Sequence, residues 1–309
     1  MSVRTDKDVI GRCVGNPLIA LTDLPFQCSD IWNAGTASFG KEFLLLVTVE
    51  SLEGQCSLYL ARSRDGERFS IDAEPFMAGD TGPLAQHENM GIRDPRITFL
   101  DDTYYIVYVA EGLGGLRLAL ARTDDFVTVE RMGMMTQPDT KNGVLLPVKL
   151  DGKYALLERP KPGNSIWLSF SEDLTFWGDP KVVMTPRGGY WDSDRIGAAG
   201  VPIEIDRGWL LIYYGEKITS AGPLVRLGAA VLDRNEPWKV LARSNIPILS
   251  PRERYERIGD VGNVVFSCGT HVTDGDLRIY YGASDSCICL GTARVDDVVK
   301  VCYDSSREF

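Results

Sequence analysis

The chain has 309 residues, with 33 Lys and Arg against 43 Asp and Glu, a formal charge of −10 and an isoelectric point near 4.9. Nucleic acid is excluded as a partner, because phosphate-backbone affinity needs clustered cations and here they are scattered among more numerous carboxylates. No apolar run approaches the roughly 18 residues of a membrane span, and the opening MSVRTDKDVIG lacks the apolar stretch of a secretory signal. No membrane partner and a cytoplasmic location are therefore expected. The seven cysteines are odd in number and the two histidines, His87 and His271, are far apart, which predicts reduced thiols and no metal site. A single domain over residues 1–309 accounts for the length.

In chain order the predicted elements repeat. A strand, a second strand and a polar turn recur as FLLLVTVE with SLYLARSRDG from Phe43, YYIVYVAEG with LRLALARTDDF from Tyr104, and YALLERP with IWLSFSEDL from Tyr154. Two further copies follow, WLLIYYGE with RLGAAVLDRNEP from Trp209 and LRIYYGAS with ICLGTARVDDV from Leu277. The copies start 61, 50, 55 and 68 residues apart, too far for two strands and suited to four. An apolar run precedes each copy (TASFG, RITFL, VLLPVKL, VPIEI, VVFSC), and a short extended piece such as RFSIDAE or VTVERMG follows the turn. About twenty strands in five groups, rich in Val, Ile, Tyr, Phe and Trp and with few helix signals, predict an all-β fold. Radial repetition of four-stranded antiparallel sheets is a five-bladed β-propeller, whose closure hides the sheet edges. A two-sheet sandwich matches the strand count but does not explain a fivefold recurrence.

In such a ring the first strand of each blade lines the axis, so polar residues near its entry converge. The candidates are Asn33 in WNAG, Asp94 in RDPR, Lys141 and Asn142 in TKNG, Asp192 and Arg195 in WDSDRIG, and Asn263 in VGNVV. Asn33 and Asp94 stand 10 residues before their repeat starts, Asn142 12, and Arg195 and Asn263 14. Asn also punctuates turns anywhere, which is the simpler reading of Asn33 and Asn263 taken alone. Charges of both signs converging in a closed pocket point to a polar, anionic or sugar-like ligand. Trp32, Trp191, Tyr213 and Tyr214 could stack on sugar rings, although such residues more often fill a core. GLGG at 112–115 reads as a hairpin turn, and no Ser/His/Asp set is evident.

The motifs IWNAGTASFGKEFLLLVTVE, GIRDPRITFLDDTYYIVYVA, KNGVLLPVKLDGKYALLERP, WDSDRIGAAGVPIEIDRGWLLIYYG, VGNVVFSCGTHV and LRIYYGASD, taken in order, resemble glycoside hydrolase family 130 from about Asn16 to Asp297. The resemblance implies a five-bladed propeller that phosphorolyses β-mannosides with inversion to α-mannose 1-phosphate, with a minority of members hydrolysing them. It implies that Asp94 is the general acid and that Lys141, Arg159, Arg195 and Tyr214 bind phosphate. It places Asn33 and Asp285 on the mannose in the −1 site; Thr48, Arg93, Asn142, Asp192 and Asn263 are the further residues expected to contact sugar. Thr48 departs from the family, where an arginine is common, and so does Glu158, where histidine often precedes the arginine. Thr48 and the cysteine content resemble the protozoan β-1,2-mannan (mannogen) phosphorylase/transferase group, which implies β-1,2 linkages and GDP-mannose as an alternative donor. The expected partners are thus mannose or β-mannooligosaccharide with phosphate or mannose 1-phosphate, and no cofactor, inorganic phosphate being a co-substrate.

Physical chemistry separates the alternatives. An inverting hydrolase needs a second carboxylate, roughly 6.5–9.5 Å from the acid, to activate water. Glu158 and Glu216 are the candidates for that role. A phosphorylase needs only the acid and a cationic cradle, because phosphate is already a nucleophile, and arginine suits that cradle through bidentate bonds. A mannan-binding lectin would need neither.

Overall fold

The computed structural model describes residues 2–3 and 8–305. In chain order the strands are β1 (Ser2–Val3), β2 (Gly11–Cys13), β3 (Ile19–Ala20), β4 (Asp30–Phe39), β5 (Glu42–Glu50), β6 (Cys56–Ser63) and β7 (Ser70–Ile71). There follow β8 (Gly91–Leu100), β9 (Thr103–Gly112), β10 (Gly115–Thr123), β11 (Glu130–Met134), β12 (Thr140–Leu145), β13 (Tyr154–Pro160), β14 (Ile166–Ser171) and β15 (Gly178–Met184). The last are β16 (Arg195–Ala198), β17 (Ile203–Ile205), β18 (Gly208–Thr219), β19 (Gly222–Leu232), β20 (Val240–Arg243), β21 (Val265–Thr273), β22 (Asp276–Ala283) and β23 (Cys287–Arg294). Helices are few: α1 (Ala85–Glu88), α2 (Arg254–Arg257) and α3 (Val295–Ser305).

The fold is all-β and its sheets are antiparallel meanders. Units β4–β7, β8–β11 and β12–β15 each run through four consecutive strands, the first two meeting in one parallel bridge, Cys56 to Gly91. In the fourth unit β16 and β17 both pair with β18, followed by β19 and β20. The fifth unit draws β21, β22 and β23 from the end of the chain and its outer strand, β2, from the beginning. Two-residue hairpins join first to second strand where the sequence supplies positive φ: Asp101-Asp102, Asp151-Gly152 and Asp274-Gly275 have both central residues there, which matches the strand twist.

Because strand side chains alternate, each unit can bury both faces. On β5, Leu44 and Leu46 enter the core shared with Ile97 and Ile106 of the second unit, while Leu45, Val47 and Val49 enter the core shared with Tyr280 and Ile288 of the fifth. Three further cores join the second unit to the third, the third to the fourth and the fourth to the fifth. Every core lies between two neighbouring units, and the last neighbours the first.

The recurring turn letters have a local cause. The hydroxyl of Ser63 accepts the Gly66 N–H and the carboxylate of Asp65 accepts those of Glu67 and Arg68. Thr123 with Asp125, and Asp173 with Thr175 and Phe176, repeat this arrangement, and Asp233 caps Asn235 and Glu236 in the same way. These backbone bonds hold all four carboxyls below the ordinary carboxylate range. The fifth copy, ARVDDV, aligned with the others as a turn, instead opens α3. Its Val298 and Cys302 are fully buried, Val295 and Val299 pack beside them, and Asp296 and Asp297 sit in the first turn, where the helix dipole favours acids.

Candidate active site

Three neighbouring units carry the same irregularity on their first strand. The register slips between Trp32 and Ala34, between Arg93 and Arg96, and between Lys141 and Val144, so Asn33, Asp94 and Asn142 each sit in a bulge. All three have positive φ (42°, 55° and 57°), a conformation Asn and Asp tolerate better than other non-glycine residues. A bulge re-aims the side chain it carries, and here it does so at equivalent places.

Asn33 and Asp94 meet: Asn33 Nδ2 donates to Asp94 Oδ1 at 2.8 Å. Both are buried, and Asn33 Oδ1 has no hydrogen-bond partner among the described residues. Below them Thr48, fully buried on β5, accepts the Asp94 N–H at 3.1 Å and donates to the Asn33 carbonyl at 3.5 Å. Thr48 was expected on the sugar; the structure commits its hydroxyl to the two bulged backbones. Arg96, two residues beyond Asp94 and fully buried, donates to the Asp94 carbonyl and to the carbonyls of Ala198 and Ala199 at 2.8–3.1 Å. Sequence reading missed this arginine, although a charge inside the apolar strand RITFL was its signal.

Asn142 serves the cations. Its Oδ1 accepts from Arg159 Nε at 3.1 Å and from the Tyr214 hydroxyl at 3.0 Å. Gly197 makes room, since a Cβ there would stand 2.5 Å from the Tyr214 ring and 3.0 Å from Asn142 Oδ1. Arg159 also reaches Asn164 Oδ1 at 3.3 Å. Lys141 and Arg159 are cross-strand neighbours, and Arg195 pairs with Glu216 at 2.9 Å. Lys141, Arg159 and Arg195 line one cavity of about 340 Å³ with Lys161, Asp139 and Asp194. Lys161 was not anticipated; it opens the turn that follows β13 and lines the same cavity.

Electrostatics ties the cavity to Asp94. Burial lowers the Lys141 ammonium below its ordinary value, Asp94 opposes that effect, and Arg93 and Arg159 reinforce it. Asp285 is pushed up to about 7, by burial first and then by Asp94, Asp260 and Asp30, with Lys141 opposing. Arg93 is paired with Glu111 at 2.7 Å.

Other expected residues lie elsewhere. Asp192 is fully buried, and its carboxylate is saturated by Arg187, Arg243 and the Tyr213 hydroxyl, a structural cluster rather than a sugar contact. Asn263 precedes β21 and lines a separate cavity with Arg226 and Arg252. The fifth unit's own bulge falls at Cys268, so the count of 14 residues placed Asn263 too early. Glu158 faces the opposite side of β13 from Arg159, in a cavity with Trp167 and Trp177, hydrogen-bonded by Ser169. Trp191 stacks on Tyr213 at 5.6 Å within the core.

Residues 29–304 match glycoside hydrolase family 130, described as β-1,4-mannooligosaccharide phosphorylase. The chain belongs to this family. It is an enzyme of the glycoside phosphorylase class. A β-1,4-mannooligosaccharide phosphorylase of Ruminococcus albus is 34% identical over 95% of this chain and 90% of its own. A β-1,2-mannobiose phosphorylase of Listeria innocua is 38% identical over 78% of this chain and 67% of its own. The solved structure of a β-1,2-mannobiose phosphorylase from Listeria innocua in complex with β-1,2-mannobiose superposes with a TM-score of 0.88, at 30% identity, covering 96% of this chain and 99% of that one.

Proposed function

We propose that this family 130 enzyme phosphorolyses β-1,2-linked mannosides with inversion, and that its five units form a five-bladed propeller around the site. The closed succession of inter-unit cores supports the propeller. The observation that carries the reaction is the single cavity lined by Lys141, Arg159 and Arg195, whose Lys141 ammonium feels the charge of the buried Asp94. A tetrahedral oxyanion held there gains charge-assisted bonds from two guanidinium forks and an ammonium.

In this reading Asp94 gives its proton to the glycosidic oxygen, the C1–O bond breaks, and a phosphate oxygen forms the new bond to C1 from the opposite face. Asn33 and Thr48 fix the acid, Asn142 fixes Arg159 and Tyr214, and Asp285 holds the mannose. General acid catalysis contributes about 10²–10⁴-fold, and positioning of the phosphate among fixed charges contributes more. Glu158 lies on the wrong side of its strand for a hydrolytic base, and Glu216 is engaged by Arg195, which favours phosphate over water as nucleophile. The β-1,2 preference rests on the relatives named for that linkage. GDP-mannose, expected as an alternative donor, has no support among the relatives described above, which are all phosphorylases.

Incubation with β-1,2-mannobiose is the test. The expected result is mannose 1-phosphate formed only when phosphate is present. Mannose released equally without phosphate would identify a hydrolase, and binding without turnover a lectin. Faster turnover of β-1,4-mannobiose would overturn the linkage.

A further inference from the structure

A second cationic cavity, of about 380 Å³, shares no lining residue with the first. Its polar lining is Arg226, Arg252, Arg257, Thr219, Ser250 and Asn263, and among the described residues no carboxylate lines it. Register keeps it apart from the cradle. Arg195 stands opposite Glu216 and Glu216 opposite Val225, whereas Arg226 stands opposite Gly215. Side chains alternate between faces, so Arg226 leaves its sheet on the other side from Arg195 and two strands away.

Two of the three arginines in this cavity have no carboxylate bonded to them. Arg252 is bound by Asp8 through Nε and a terminal nitrogen at 2.6 and 2.9 Å, and Asp8 also receives Arg12 at 3.1 Å. That carboxylate is saturated. Arg226 and Arg257 form no ion pair or side-chain hydrogen bond among the described residues. Arg226 is half-buried, and burial first, then repulsion from Arg252, draws its guanidinium below the ordinary value, with Asp8 opposing. A guanidinium stays ionised, and half-burying Arg226 beside a second arginine, with no carboxylate bonded to Arg226, is unfavourable, so an anion that binds it directly relieves it. On a chain of net charge −10, three arginines lining one cavity whose lining holds no carboxylate are not general surface character.

We propose that this cavity is a second phosphate-recognising site, taking inorganic phosphate or the phosphate group of a sugar phosphate on Arg226 and Arg257. Guanidinium forks match tetrahedral oxyanions bidentately, and Ser250 adds a hydroxyl. The cavity has room for a sugar ring beside the phosphate.

Calorimetric titration at 150 mM salt, where non-specific attraction is screened, tests the proposal. Inorganic phosphate and mannose 1-phosphate are titrated in separate arms. The wild type is expected to bind two phosphate groups per chain, and Arg159→Met to keep one. Arg226→Met/Arg257→Met also keeps one, with kcat unchanged and the lost site at least tenfold weaker. Saturation of the second site by inorganic phosphate identifies free phosphate as sufficient, and saturation by mannose 1-phosphate alone identifies a sugar phosphate; both support the site. One phosphate per chain in the wild type in both arms, or two retained in the double variant, overturns it. The Arg159→Met titration needs no turnover, so it separates failure of this site from failure of the mannoside reading.

Discussion

Asn33 and Asp94 occupy the same bulge in neighbouring units and are joined by a 2.8 Å hydrogen bond from amide to carboxyl. The acid is therefore held between units, with its side chain oriented by one unit and its main chain by another through Arg96.

Asp94→Asn keeps the size of the side chain and removes the proton. Its kcat should fall about 10²–10⁴-fold with mannobiose, while the affinity for phosphate changes little. Near-normal turnover would refute the assignment of the acid.

Asn142 touches two members of the phosphate set, so Asn142→Ala should loosen both. A hydrogen bond to a charged group is worth about 1.5–3 kcal/mol, which corresponds to a KM for phosphate raised about 10- to 100-fold, with a smaller effect on kcat. Initial rates against phosphate concentration read this split. An unchanged phosphate KM would mean that Arg159 is positioned without Asn142.

Arg96 satisfies three carbonyls in a fully buried place. Arg96→Met should cost on the order of 3 kcal/mol of stability, because it strands those acceptors away from water. Equilibrium unfolding in urea measures the loss, and a midpoint equal to the wild type would contradict it.

Asp285 supplies a pH signature. Its folded pKa, about 7, lies above the ordinary 3.8, so between these values the folded state holds a proton that the unfolded state has lost. Its contribution is complete below pH 3.8 and drains away as pH rises toward 7, by at most about 4 kcal/mol. Asp285→Asn should flatten the stability profile across that window; an unaltered slope would disprove it.

The capping carboxylates act in the opposite sense. Asp65, Asp125, Asp173 and Asp233 are held below the ordinary range, so their contribution is present above the unfolded value of about 3.9 and is lost as pH falls through their folded values. Replacing all four by Asn should reduce the steepness of acid unfolding below pH 4, followed by circular dichroism. An equally steep transition in the variant would exclude them as its source.

The repeat was legible because its turns are built from local chemistry: in the first three units a hydroxyl and a carboxylate two residues apart write the same letters where the chain reverses. Lys141 and Arg195 were legible as polar residues near strand entries and Arg159 through resemblance, and all three line one cavity. The partners of Asp192 were not, since Arg243 lies 51 residues away and only three-dimensional packing brings it there. Arg96 was obscured by its strand, where an apolar pattern dominated the reading. In ARVDDV the likeness to three earlier turns outweighed the helical spacing of Val295, Val298, Val299 and Cys302.

The pairing of β2 with β23 gives the molecule a seam at which the two extremes of the polypeptide are stitched together. Arg12 secures that seam through Glu256 and the Ser250 carbonyl. During synthesis the last sheet cannot be finished until residue 294 has emerged, so four units wait with one flank unsealed.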